Sequence, residues 1–205
     1  MDTCDVKLDD GILTLENDRI RRLYRWNDGH LIGLRIEDVQ RGHGWDLDAA
    51  APDMSLCRAI DGEALGLLHV IEQPETSCTP AHLRAEVITS LGGLEVKRTF
   101  RLYPGCPAIA CDLYLRGHAD SLCHALAMER LALPGTHWRA VAVQFFDVTD
   151  LNNTLVRERE MLPYRSPKRL TGNLLFLDET LRDRGLFVLK EAPCTHAQLH
   201  YPGYD

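Results

Sequence analysis

Leu83-Arg84-Ala85-Glu86-Val87-Ile88-Thr89-Ser90-Leu91-Gly92-Gly93-Leu94-Glu95-Val96-Lys97-Arg98-Thr99-Phe100-Arg101-Leu102 is the stretch that decides the fold class. Leu83, Ala85, Val87 and Leu91 share one parity, with Arg84 and Glu86 opposite. Gly92-Gly93 turns the chain. Leu94, Val96, Phe100 and Leu102 then share a parity against Glu95, Lys97, Thr99 and Arg101. A period of two with one apolar and one wet face is the pattern of antiparallel strands. Pro104-Gly105 ends the second strand, and Ile109, Cys111, Leu113 and Leu115 pattern a third, so the region reads as a meander.

Strand signals continue in both directions. Upstream they cover 12–15, 19–26 and 31–37, and Asn27-Asp28-Gly29 between the last two is a hairpin turn because Asp-Gly tolerates positive φ. Residues 42–52 carry glycines, acidic residues and a proline and read as a loop. Shorter strands are predicted at 55–59 and 67–71, with a polar loop at 72–80. Downstream, 120–133 could be capped as a helix by Asp120 or Ser121; the pattern of 127–133 is assigned to a strand. Residues 138–146 form a long strand, 147–153 a polar turn, 155–163 a mixed segment and 164–171 a basic loop.

Near the C-terminus, Asn173-Leu174-Leu175-Phe176-Leu177-Asp178 and Gly185-Leu186-Phe187-Val188-Leu189-Lys190 flank a charged connector and read as an antiparallel pair. The closing Tyr201-Pro202-Gly203-Tyr204-Asp205 is extended and aromatic, so the polypeptide is expected to continue into another domain. A dozen or more short strands with few helices imply an all-β fold. The expected form is a large two-sheet antiparallel supersandwich, one domain across 1–205.

Composition narrows the function. A formal net charge of −7 argues against a phosphate-backbone binder, which needs a clustered basic face. The densest basic group, Arg21, Arg22 and Arg25, reads as a solvated strand face. The seven cysteines are odd in number and lack metal spacing, so reduced, structural thiols are expected. No apolar run approaches the ~18 residues of a membrane helix, and Met1-Asp2-Thr3-Cys4-Asp5 has no secretory pattern. These features favour the cytoplasm, with the periplasm open if a leader has been removed. Asn152-Asn153-Thr154 matches a glycosylation sequon, which matters only in a secretory setting.

Catalytic signatures are sparse. The sequence has no G-x-S-x-G elbow, P-loop or G-x-G-x-x-G. Asp147, Asp150 and Asn152 form the densest polar cluster. A pair of carboxylates about 5–9 Å apart could flank a glycosidic bond, but Asp and Asn also favour turns, and a domain contact is a third reading. His196 and His200 stand four apart in a stretch too short for a secure helix. No cofactor and no metal are predicted. Aromatic faces stack on sugars while carboxylates bond hydroxyls. Trp45 beside Asp46 and Asp48 is therefore the candidate platform, with a plug at the sandwich edge as the alternative; Trp26 and Trp138 read as core.

The chain resembles the N-terminal β-supersandwich domain of family 36-type glycoside hydrolases, the α-galactosidase group. The resemblance is carried by Leu15-Glu16-Asn17 with Arg22-Leu23-Tyr24-Arg25-Trp26-Asn27-Asp28-Gly29, by Phe145-Phe146-Asp147-Val148-Thr149-Asp150 with Asn152-Asn153, and by Gly172-Asn173-Leu174-Leu175-Phe176 with Gly185-Leu186-Phe187-Val188-Leu189-Lys190-Glu191-Ala192-Pro193 and Tyr201-Pro202-Gly203. It implies a galactose-mutarotase-like domain placed before a (β/α)₈ barrel that carries both catalytic aspartates, so neither aspartate is expected in this chain. The implied partners are that barrel, in the same polypeptide, and carbohydrate, with no nucleic acid and no membrane. Trp45, Asp46, Asp147, Asp150 and Asn152 are the candidate carbohydrate or domain-interface residues. Two alternatives remain. One is an aldose mutarotase or epimerase, which needs a His acid and a Glu base such as His137 and Glu129. The other is a free-standing carbohydrate-binding module.

Overall fold

A computed structural model describes residues 3–47, 50–54, 65–91, 93–117, 127–135, 137–144, 155–161 and 172–191. Among them there are thirteen strands in three antiparallel sheets, which makes the fold all-β. The chain divides into two compact units, Met1–Pro134 and Gly135–Asp205.

The first unit holds two sheets. One runs β1 (Asp5–Asp9), β2 (Ile12–Glu16), β3 (Ile20–Asn27), β4 (His30–Asp38) and β5 (His43–Asp46), in sequence order. The other runs β6 (Leu65–Gln73), β7 (His82–Leu91), β8 (Leu94–Leu102) and β9 (Ile109–Gly117). Each is a meander because each connection is short enough to be a hairpin. The β3–β4 turn has both Asp28 (φ 49°) and Gly29 (φ 86°) in the left-handed region, the geometry that matches strand twist.

Leu13, Leu15, Tyr24 and Leu31 from the first sheet meet Leu83, Ala85, Val87, Phe100 and Leu102 from the second in one core. The two sheets therefore form a sandwich with alternate residues inward. Register follows the pleat: Ala85 opposes Phe100 and Leu83 opposes Leu102.

Two polar devices close the sandwich. Buried Asn17 uses its whole amide: Nδ2 donates to the carbonyls of Tyr103 (2.7 Å) and Cys106 (2.8 Å), and Oδ1 accepts from the amides of Arg19 (2.8 Å) and Ile20 (2.9 Å). This ties the β2–β3 turn to the β8–β9 turn. At another point Thr89 Oγ1 donates to the Gly29 carbonyl at 3.0 Å. A side chain on Gly29 would come 2.5 Å from that hydroxyl, and one on Gly66 would strike the backbone of Asp28 and Gly29. Two glycines face each other there because two backbones touch.

The second unit holds one sheet, in the order β11 (Leu155–Met161), β10 (Trp138–Gln144), β12 (Leu174–Glu179), β13 (Arg184–Leu189). On one face lie Trp138, Ala140 and Ala142 of β10, all buried, with Leu175 and Leu177 of β12 opposite them. The other face carries Val141 and Val143, Leu174 and Phe176, then Phe187 and Leu189. Phe176 and Phe187 lie side by side there at 6.4 Å, each more than 40% exposed, and the Arg139–Asp178 pair stands at one end of the same face.

Several expectations change. Residues 127–133 hold no strand. They run as a strap from which Glu129 pairs with Arg22. Residues 43–46 of the expected loop instead form β5 on the edge of β4, where Trp45 faces Ile36; burying the indole outweighs the glycine and acidic composition. Asp5–Asp9 also forms a strand, which its charge had hidden, because Val6 and Leu8 lie opposite Leu15 and Leu13. The mixed segment contains β11. The strand expected at 55–59, the possible helix start at 120–121 and the loop at 164–171 lie outside the described residues.

Candidate functional site

The first unit encloses a cluster of charged side chains at one end of its core. Arg22 on β3 shares the inward parity of buried Tyr24, and Arg98 on β8 that of Val96 and Phe100. Arg22 is thus buried, not part of a solvated basic face. Its neighbour Arg21 does face outward, paired with Glu16 and Glu37.

Arg98 Nη1 donates to both oxygens of Asp53, 2.9 Å each, and neither side chain is more than 4% exposed. Asp53 is placed by its own amide, which donates to the Leu31 carbonyl at 3.0 Å. Burial pushes the Asp53 carboxyl up from its ordinary range, and Arg98 opposes that shift. For Arg98, burial alone would lower the value; the Asp53 charge more than offsets it and holds the guanidinium charged. Contact with both oxygens at 2.9 Å is the geometry of an ion pair.

Arg22 Nη2 pairs with Glu129 Oε1, on the strap. The Tyr24 hydroxyl lies 3.4 Å from the same oxygen. Gly33 makes room: a side chain there would stand 3.3 Å from Arg22 Nη2 and 3.1 Å from Leu47 Cδ1. Both arginines lie against the Tyr24 ring, with guanidinium carbons 4.8 and 5.9 Å from its centroid. Burial, the largest influence, raises the Tyr24 phenol, which stays protonated. Burial also raises the Cys111 thiol, against the pull of Arg98. Two cations thus face two carboxylates around one neutral aromatic ring. Such a cluster can orient a polar ligand or lock a strap; its carboxylates are engaged with guanidiniums.

Two donors in it are unused. Arg22 Nε and Arg98 Nη2 are buried and have no hydrogen-bond partner among the described residues. Buried donors are normally satisfied, so each calls for an acceptor.

A second feature lies on the outer face of the β6–β9 sheet. Ile88, Lys97 and Tyr114 are cross-strand neighbours. With Glu86, Glu95 and Arg116 they line a shallow open depression. Tyr114 is 54% exposed, and Lys97 Nζ stands 5.1 Å from its ring centroid. Glu86 receives Lys97 at 3.5 Å, and Glu95 receives Arg116 at 2.9 Å, so the lining charges balance.

The residues singled out in sequence fare differently. Trp45 is 5% exposed and packs inside, the plug alternative, so its ring offers no stacking face. Asp46 is exposed and bonds Arg35 at 2.6 Å. Asp147, Asp150, Asn152, His196 and His200 lie outside the described residues. Of the acid–base pair considered for an epimerase, Glu129 is committed to Arg22, and His137 belongs to the second unit, where its carbonyl accepts from the Thr180 amide at 3.1 Å. Cys4, Cys78, Cys106 and Cys111 are free thiols. Among the described residues no group of three or more His, Cys, Asp or Glu is placed to hold a metal.

The parity of positions 22 and 98 was a usable signal for the cluster. Arg98 interrupts the apolar series Leu94, Val96, Phe100, Leu102, and an arginine there must be buried with a counter-ion. Asp53 and Glu129, from irregular segments, carried no such mark. No family model, curated protein or solved structure matches the chain.

Proposed function

We propose that this chain is a non-catalytic accessory β-sandwich module of a carbohydrate-active enzyme. The parent enzyme is an α-galactosidase-like retaining glycoside hydrolase, and the module packs on a (β/α)₈ barrel that performs the reaction. One observation carries the packing part of this reading: β10, β12 and β13 carry large apolar residues on both faces, with the Arg139–Asp178 pair at one end of the second. An antiparallel sheet with a wet side alternates apolar and polar residues. Here Phe176, Phe187 and Leu189 occupy the second face while substantially exposed. A cluster of large apolar side chains in water marks a contact surface. The glycoside hydrolase part rests on the sequence resemblance. The test is an assay of the purified chain on an aryl α-galactoside. The expected result is no turnover above buffer; turnover that copurifies with the chain overturns the proposal.

The Tyr114 depression favours a second reading, a carbohydrate-binding module. Its exposed ring and charge-balanced lining suit a neutral polyhydroxylated ligand. Calorimetric titration with galactose and raffinose checks it. Binding that Tyr114→Ala removes supports this reading, and equal heats in both proteins refute it.

A further inference from the structure

We propose that Arg22, Tyr24 and Arg98 form a recognition site for a small hydroxy-carboxylate, and that Glu129 occupies it as an internal substitute. The Nε and Nη2 hydrogens of a guanidinium point the same way and match the two oxygens of one carboxylate. Arg22 uses this fork by half: Nη2 holds Glu129 Oε1, while buried Nε has no acceptor among the described residues. Seated side-on, a carboxylate takes both hydrogens. Replacing one carboxylate by another keeps the cluster neutral, so the exchange leaves no uncompensated buried charge.

Glu129 is suited to leave. Its side chain is 35% exposed, against 9% for Arg22, and its strap belongs to no sheet. Behind it, the Tyr24 ring supplies an apolar wall between the two guanidiniums. Arg98 Nη2, buried near the weakly accepting Cys111 thiol and without an oxygen acceptor among the described residues, can donate to a hydroxyl or ring oxygen of the same ligand. Asp53 keeps Arg98 in place through Nη1 and leaves Nη2 for that purpose. A carboxylate with neighbouring hydroxyls, as in an acidic sugar, meets each of these demands; a neutral sugar does not meet the first. The site is distinct from the apolar sheet face and from the Tyr114 depression, and stands whether or not the accessory-module reading does.

The experiment is calorimetric titration of the whole chain with D-galacturonate and, at matched ionic strength, with D-galactose. The account expects a saturable one-site isotherm for galacturonate and none at this site for galactose. Glu129→Ala removes the competitor and should tighten galacturonate binding about fivefold, the worth of a partly exposed ion pair; Glu129→Gln, which keeps a weaker acceptor, should fall between. Arg22→Lys keeps the charge but loses the fork, and should weaken binding about tenfold or more. If Arg22→Lys does not fold, the two Glu129 variants still decide. Failure of both the natural chain and Glu129→Ala to saturate overturns the proposal. So does equal affinity across the Glu129 series, unchanged affinity in Arg22→Lys, or galactose binding that competes with galacturonate.

Discussion

The two sheets of the first unit and the single sheet of the second use the same alternation to different ends. In β7 and β8 the apolar residues other than Ile88 face the sandwich and the charged residues other than Arg98 face water; Arg98 is answered inside by Asp53. In β10, β12 and β13 both parities carry apolar residues, and the second face, beside the Arg139–Asp178 pair, is left with Phe176, Phe187 and Leu189 exposed. The first pattern describes a body that packs its own interior and pairs the charges it buries. The second leaves large apolar side chains in water, as the proposed contact surface requires. A polar residue inside an apolar series and an apolar residue on a wet series are opposite departures from one rule, and they point respectively to an internal network and an external contact.

The largest loss is expected at Asp53. Asp53→Ala leaves Arg98 charged and buried without its partner, at a cost of about 3–5 kcal/mol in urea unfolding of the first unit. A loss below about 1 kcal/mol would mean water replaces the carboxylate and the interior is not closed. Asn17→Ala comes next: it strips acceptors and donors from four buried or half-buried backbone groups, and should cost about 2–3 kcal/mol. Gly66→Ala forces a methyl into the Asp28–Gly29 backbone and should cost about 1–3 kcal/mol.

On the other side of the comparison, Phe187→Ser should change stability by less than about 1 kcal/mol, because nearly half the ring is already in water. It should also lower binding of an apolar dye. A loss as large as that of Asn17→Ala would show that the face is covered within the chain itself.

The smallest effect is a pH dependence. Burial lowers the His30 imidazole below its ordinary value of 6.5, more than Asp28 raises it. The unfolded chain therefore takes the proton first. His30 contributes its full stability above about pH 6.5, and that contribution is lost as pH falls toward the folded value. His30→Asn should flatten the slope of stability against pH across this window, measured by urea midpoints; an unchanged slope would assign it to other groups.

Most of the strand order was legible in the sequence because period-two patterns in β3, β4, β7 and β8 are long and bounded by Asp-Gly or Gly-Gly turns. What escaped has physical causes. Asp5–Asp9 is an edge strand whose two aspartates and lysine hide a two-residue apolar face. His43–Asp46 looked like a loop because composition says nothing of the open edge of β4 that it fills. Trp45 was sought at the surface for its chemistry and lies inside, where burial of its large ring dominates. The Arg22–Glu129 and Arg98–Asp53 pairs join residues 107 and 45 positions apart. Parity could mark the arginines, but only the fold could supply their partners.

The accessory-module account is tested most directly by hydroxyl-radical labelling of Phe176 and Phe187, followed by mass spectrometry. The chain is labelled alone and again when joined to an α-galactosidase-type (β/α)₈ barrel. The expected result is strong labelling of both rings in the isolated chain and clear protection in the joined protein, while Tyr114 of the first unit stays labelled. Equal labelling of Phe176 and Phe187 in the two states would contradict it.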